Sequence, residues 1–523
     1  MNLNSGVTAT VGDERGVSNE TIPNNGARND PKTPLLIFVS FSLIYVLFIA
    51  AAMHRRVWYD ELFTLDIARA STPSRVMELI RKWDLNPPLS YFLNRWSMDV
   101  FGPGKLGLRL PSIVEFYTAS LFLFAFAQRR IGNAFALLAI AIIWEGPLFY
   151  YAVEARPYAL LAMCFSILIF CWDRATSPNR PIWSLIGTFF GALGMLLTHV
   201  FAPLTLAAIF VAEVVRFARS RKTDLALWTA LLLPCLAMLL YIPLFHTYKR
   251  VLFPYHDQAG LWQIPQYFIH SVWDTKPILY ATVFAFIVSR GNRERQRAPF
   301  PPEQLAAAFF LLCLPILLNL ILMRSHGAFW PRYCITTSVT LCLAFAFLGA
   351  YQTEVGQRGG WIATGVVLLF GLMNVVNLVS AMRSHARHNT RPALATVRPD
   401  LPLVIENGMT FFEMNHFEDS SLLNRVHFLE DPPADIKYSN STLCDAFEQL
   451  DPDFPIRAHV DDYASFLSEH RQFLMLTKEK GVFWLVSKLH DDGEEIEKVS
   501  DVDVPYGEAE VYLVTVRKSA TDD

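Results

Sequence analysis

The chain is poor in charge. Asp, Glu, Lys and Arg make up 18% of its 523 residues, against 53% hydrophobic residues and 40 phenylalanines. That balance excludes an ordinary soluble enzyme of this length and points to a polytopic membrane protein. Neither sign of charge is in excess: the formal net charge is -3, and the basic residues fall in short clusters between apolar runs, which argues against a nucleic-acid partner. Cysteine is scarce where a disulfide framework would need it. Of the seven cysteines, only Cys444 stands in the polar C-terminal region, and the others lie in or beside apolar runs, so no framework exists there. An internal repeat, a Walker loop, a Rossmann glycine fingerprint and a Cys/His zinc spacing are all missing.

What the chain has in abundance is apolar runs, near residues 34–53, 111–127, 132–152, 157–172, 182–198, 200–215, 225–245, 277–289, 304–323, 333–350 and 361–382. Crossing a bilayer takes roughly 20 apolar residues, so the pattern predicts about 11 transmembrane helices, the shorter ones borrowing flanking aromatics. Residues 1–33, rich in Gly, Asn and Thr, read as a disordered cytoplasmic tail. "FIAAAM" resembles a small-residue cleavage site, but the long tail and long apolar run favour an uncleaved first helix. The clusters "AQRR", "RFARSRK" and "SRGNRERQR" close alternate hairpins and mark the cytoplasmic face. Loop 54–110 then faces outward. Within it "TPSRVMELIRKW" places Val76, Ile80 and Trp83 on one helical face, which predicts an interfacial helix lying on the membrane.

From residue 383 the character changes. Strand-like runs ("LPLVIEN", "GVFWLVSKL", "EVYLVTV") alternate with charged helical stretches such as "YASFLSEHRQFL", and predict a small α/β domain. The expected architecture is therefore a polytopic α-helical membrane protein with a small C-terminal soluble α/β domain: a tail over 1–33, a transmembrane domain over 34–382 whose first outer loop, 54–110, carries the chemistry, and an extracytoplasmic domain over 383–523. The odd span count puts that last domain on the outer side with the loop.

A charge beside lipid is costly unless water, a cation or a substrate receives it, and the outer turns carry many. "VWYDELFTLDIARA" holds Asp60 and Glu61, "YYAVEARPYAL" holds Glu154, Arg156 and Tyr158, "THVF" holds His199, and "RSHGAFWPRY" holds Arg324, His326, Arg332 and Tyr333. Polar groups from separate hairpins converging on one membrane face form the default site of a membrane protein. Arginine there suits phosphate through bidentate, charge-assisted bonds, and an adjacent acid suits removal of a proton from a nucleophile. A lipid phosphate and an acceptor hydroxyl fit both. Each group also has a structural reading: the acidic pair as solvated charge at a helix end, the arginines snorkelling to headgroups, His199 as a packed edge residue.

The order of motifs, an outer-loop Asp-Glu, "PPL" within "NPPLSYFLNRW", "FGPGKLGLRLPS", "EARPYAL" and a late "RY", resembles the GT-C glycosyltransferases of the protein-mannosyltransferase and aminoarabinose-transferase type over residues 34–382. The resemblance implies a polyprenyl-phosphate sugar donor and inverting transfer to a hydroxyl of a glycan, lipid or protein acceptor on the outer face of the plasma (inner) membrane. It makes Asp60 the general base with Glu61 beside it. Arg156 and Arg332 would meet the lipid phosphate, and Glu154, Tyr158, His199 and Tyr333 would line the substrate site. Relatives often carry His ahead of "PPL", where this chain has Asn86 and Pro87; no metal is assigned, no cofactor is expected, and a divalent cation is left open. The rival reading is a transporter or flippase of a lipid-linked or charged solute, in which the same charges would line a path; no pair of interrupted helices recurs in the two halves to support it.

Overall fold

The computed structural model describes residues 32–53, 55–84, 86–248, 258–273, 300–352, 397–442, 454–477, 483–504 and 507–517. The first apolar run is helix α1, Lys32–Ala52. Loop 54–110 folds into α2 (Tyr59–Ala68), α3 (Pro73–Trp83) and α4 (Leu89–Phe101). Then α5, Lys105–Glu145, absorbs two predicted spans and divides at Gly132, whose φ of 78° is open to glycine at little steric cost. A 3-10 turn, Pro147–Val153, leads into α6 (Tyr158–Ala175), α7 (Ile182–Leu196) and α8 (Ala202–Ser220). Further helical segments cover 225–248, Gln263–Trp273, Pro302–Arg324 and Ile335–Gln352.

Five of these, Lys105–Asn133, Tyr158–Ala175, Leu225–Leu244, Pro302–Arg324 and Pro331–Ala350, are long and apolar enough to cross a membrane, and shorter apolar helices stand among them. Phe190, Leu236, Leu239 and Phe309 point outward, exposed, as befits a chain whose solvent is lipid. Between α6 and α7 the backbones approach so closely that a Cβ on Gly191 would sit 2.9 Å from the backbone nitrogen of Leu168. The predicted spans at 277–289 and 361–382, residues 1–31 of the tail predicted over 1–33, and Cys444 lie outside the described residues, while Lys32 and Thr33 of that tail already belong to α1.

The C-terminal region builds a six-stranded sheet in the order β3-β2-β1-β4-β6-β5, from β1 (Leu403–Ile405), β2 (Val426–Glu430), β3 (His459–Asp462), β4 (Gln472–Thr477), β5 (Glu495–Val504) and β6 (Gly507–Thr515). Neighbours among the first four pair parallel, and β6 pairs antiparallel with β4 and β5. Strand β1 and most of β4 are buried, the continuous apolar pattern of strands covered on both faces. Two details differ from the sequence reading. "GVFWLVSKL" is mainly helical, Trp484–Asp491 burying Trp484, Leu485 and Leu489, and "YASFLSEHRQFL" stops its helix at Glu469, its last residues entering β4. A short apolar run fits either period, and only packing decides.

Helix α3 also departs from expectation. Its apolar residues Val76, Leu79 and Ile80 are buried in one cluster with Phe411, Phe412 and Phe454 of the C-terminal region, so the face predicted to lie on lipid lies on protein. Amphipathicity says that a face is covered, not by what. It is α4 that turns Trp96, Val100 and Phe101 outward, exposed.

Candidate active site

The turn after α1, the turn between the 3-10 segment and α6, the α7–α8 turn and the stretch before Ile335 come together at one end of the bundle. Leu89 N–H donates to Leu197 O at 3.1 Å, and the Tyr241 hydroxyl donates to the carbonyls of Leu196 and His199 at 2.7 and 3.0 Å. These bonds fix the α7–α8 turn against α4 and its neighbours. Helix α2 starts in their midst. Trp58, extended, precedes it, and Asp60 and Glu61 occupy its first turn, where carboxylates oppose the positive end of the helix dipole. Adjacent helical residues diverge by about 100°. The two acids therefore face different surroundings.

Glu61 faces inward and is fully buried. Arg109, also fully buried, grips it with two bonds, Nε to Oε1 at 2.8 Å and Nη2 to Oε2 at 2.6 Å, and also donates to the carbonyls of Arg55 and Arg56 at 3.0 and 2.8 Å. Ala155 N–H donates to Glu61 Oε1 at 3.0 Å. One bidentate pair thus joins α5, α2 and the turn that carries Glu154 and Arg156. Both Glu61 oxygens are engaged by these donors, an arrangement that ties the loop to its neighbours.

Asp60 faces the cluster. Its Oδ2 accepts from Arg332 Nη1 at 2.8 Å and lies 3.9 Å from Arg156 Nε. Arg156 Nη1 also donates to Asp84 Oδ2 at 3.2 Å, an oxygen that accepts from the Tyr91 hydroxyl as well. Asp84 Oδ1 accepts from the backbone and side-chain nitrogens of Asn86 at 2.8 and 2.9 Å. Asn86, at the position of the departure from the resembled family, thus orients Asp84 through a local turn. Among the described residues no three His, Cys, Asp or Glu side chains are grouped as metal ligands.

The remaining groups carry unsatisfied polar atoms. His199 is buried, and its Nδ1 accepts from Phe201 N–H at 3.2 Å, so the neutral ring carries its proton on Nε2, which has no partner. Burial pushes this imidazole down to about 3, the nearby arginines adding to the effect, and keeps it neutral. Glu154 is buried with neither oxygen hydrogen-bonded; Arg55 Nη2 stands 3.8 Å away, and burial raises the carboxyl to about 8. The Arg332 guanidinium is 5.9 Å from the ring centres of Trp58 and Tyr158 and 5.2 Å from that of Trp330, and Tyr333 sits 5.9 Å from the His199 ring. Among the described residues, the buried Arg156 Nε, Arg332 Nε and Trp58 Nε1 have no hydrogen-bond partner. Native proteins rarely leave such atoms bare unless a ligand or water meets them.

Residues 85–245 match the family model of dolichyl-phosphate-mannose-protein mannosyltransferases. Two crystal structures of ArnT from Cupriavidus metallidurans align over 92% of this chain and 98% of theirs. The one bound to undecaprenyl phosphate gives a TM-score of 0.51 at 12% identity, and the apo one 0.52 at 13%. No curated protein matches in sequence. The fold is that of the GT-C glycosyltransferases. The matched segment of the GT-C fold holds Asn86, Arg109, Glu154, Arg156, Tyr158 and His199 but stops short of both Asp60 and Arg332, which only the folded chain brings to them. Of the predicted polar groups, Arg324 and His326 are exposed. Asp84, Tyr91 and Arg109 were not singled out from the sequence. Arg109 had one signal, a lone arginine within the apolar "LGLRLPS", which has to find a partner or leave the interior.

Proposed function

We propose that the chain transfers a sugar, with inversion, from a polyprenyl-phosphate donor to an acceptor hydroxyl on the extracytoplasmic face of the plasma membrane, with Asp60 as general base. The observation carrying this is the Asp60 carboxylate set against two arginines, Arg332 at 2.8 Å and Arg156 at 3.9 Å, each with a buried Nε donor to spare. The donor phosphate draws Arg332 and Arg156 to itself and leaves Asp60 free to take the acceptor's proton. The acceptor oxygen attacks the anomeric carbon as the bond from that carbon to the phosphate oxygen breaks. Polyprenyl phosphate departs with the extra negative charge, which the two guanidiniums and the Nε2–H of His199 receive. Charge stabilisation of this kind is the largest electrostatic demand of the reaction. No cofactor enters these steps. Glu61 and Arg109 hold the loop, while Glu154, Tyr158 and Tyr333 shape the sugar's surroundings.

The reading of sidedness rests on the positive-inside rule: the described basic clusters, 127–130 and 216–222, lie at the other end of the helices, which supports taking that end as cytoplasmic. A transporter would place its binding groups near the midplane; here they gather at one end. The test is sugar transfer by purified, lipid-reconstituted protein supplied with polyprenyl-phosphate sugars and a pool of envelope glycan and lipid acceptors. Asp60→Asn keeps the shape and removes the basic oxygen, so turnover falls about 100-fold or more while binding of a polyprenyl-phosphate analogue persists. Near-parental turnover by that variant refutes Asp60 as base.

A further inference from the structure

The C-terminal region has no place in the steps above, yet it touches the helix that carries the base. Helix Gly408–Phe417, capped by Asn407, follows β1 directly and lies against α2. Glu413, buried, accepts from the backbone N–H of Tyr59 at 2.8 Å across 354 residues of sequence. Tyr59 is the first residue of α2, and its N–H is one of the donors that a helix start leaves without an internal acceptor. The residue before it is Trp58, whose indole has no acceptor with which to cap the helix. The first turn of α2 is thus capped twice, locally by Glu61 Oε2, which accepts from Trp58 N–H at 3.4 Å, and from a distant part of the chain by Glu413.

Two turns further along, His416 Nε2 lies 3.1 Å from Asp66 Oδ2, an ion-pair contact without hydrogen-bond alignment. Tyr59 and Asp66 are seven residues apart and so share a face of α2; Glu413 and His416 are three apart and share a face of their own helix. Between the two polar contacts the rings of Tyr59 and Phe63 pack on Phe412 at 5.6 and 5.0 Å, and Phe63 meets Phe454 at 5.3 Å. At the far end of α2, Arg95 donates to the carbonyls of Ala68 and Ala70.

We propose that the C-terminal region is a working part of the transferase: Glu413, with His416 as its second point of attachment, is a positioning residue that sets the pitch of α2 and so the aim of the Asp60 carboxylate. This rests on the reading of Asp60 as base. The aim matters because a displacement of about 1 Å in a reacting group costs on the order of 100-fold in rate. Glutamine at this position retains an oxygen that accepts the Tyr59 N–H, and alanine does not.

The experiment uses the full-length protein in nanodiscs and compares Glu413→Ala, Glu413→Gln, His416→Ala and Asp60→Asn in sugar transfer, with thermal melting and hydrogen exchange of the 57–68 segment measured on the same samples. The expected result is a kcat for Glu413→Ala lowered roughly 10- to 100-fold, an unchanged donor KM, faster exchange at the start of α2, and recovery of most of the rate in Glu413→Gln. His416→Ala gives a smaller loss of the same kind. A folded Glu413→Ala protein with parental kcat while Asp60→Asn is dead overturns the positioning role and leaves the base assignment standing. An active Asp60→Asn protein removes the base itself, and the positioning role with it. Should Glu413→Ala fail to accumulate, His416→Ala decides by the same criteria: a parental kcat overturns the proposal.

Discussion

Arginines and acids crowd both ends of the helix bundle, and the two ends use them differently. At the end with the basic hairpins, Arg129 and Arg130 pair with Asp173, Arg180 pairs with Asp224 at 2.5 Å, and Arg219 with Glu303 at 2.9 Å. These are mostly partly exposed ion pairs in which each acid has met its base. At the other end Asp60 is shared between Arg332 and Arg156, and among the described residues Glu154 meets no hydrogen-bond donor and the His199 Nε2–H no acceptor. The difference between the ends is one of satisfaction. At the first the acids are paired, though Arg130 Nε has no hydrogen-bond partner among the described residues, whereas at the second Glu154, His199 and both arginines keep such unpartnered atoms.

The largest contrast between the ends is in stability. Arg109→Ala strands the buried carboxylate of Glu61, and breaking such a pair costs about 3–5 kcal/mol, enough to remove most folded protein. At the hairpin end Arg219→Ala opens an exposed pair with Glu303 and costs less than about 1 kcal/mol. Melting curves of both variants in the same detergent check this, and similar losses would erase the distinction between the ends.

Next come the two arginines proposed to meet phosphate. Arg332→Ala and Arg156→Ala raise the donor requirement and slow turnover together, since phosphate charge is present in the ground state and grows on the leaving group. Lysine restores charge without the planar fork and rescues only in part. Titration with a polyprenyl-phosphate analogue reads the first effect and single-turnover rates the second; parental values for both variants would show that neither arginine meets phosphate.

The smallest effect is a pH dependence from Glu154. Its folded-state carboxyl is raised to about 8 by burial, above the ordinary carboxylate value near 4.3. Between those values the folded state binds a proton that the unfolded state has released, so stability falls as pH rises through this window. Glu154→Gln removes the dependence: its melting temperature relative to the parent rises from pH 5 to pH 9. A constant difference across that range would mean that Glu154 does not titrate there.

Much of this plan is legible in the residues. The apolar runs announce helices because bilayer crossing demands length and continuity, and all but two coincide with described helical segments. Asp60, Glu154, Arg156, Tyr158, His199, Arg332 and Tyr333 could be gathered because each stands at a turn, and turns on one face of a membrane protein are neighbours by necessity. What escaped is whatever depends on a partner distant in sequence. The faces of α3 and α2 read as amphipathic, but Phe411, Phe412 and Phe454 supply their cover from a region whose own signals are short and weakly periodic. Glu61 and Asp60 are adjacent acids in sequence, and only the position of Arg109 separates a structural carboxylate from one that faces the site.

The Glu413–Tyr59 bond also has a meaning in time. A ribosome adding roughly 5–20 residues per second has α2 in the membrane's vicinity long before it reaches the residue that caps it, 354 positions later. For the tens of seconds between, the helix bearing Asp60 lacks the Glu413 contact and its aromatic cover. A part of the chain made late thus completes the setting of the helix that carries Asp60.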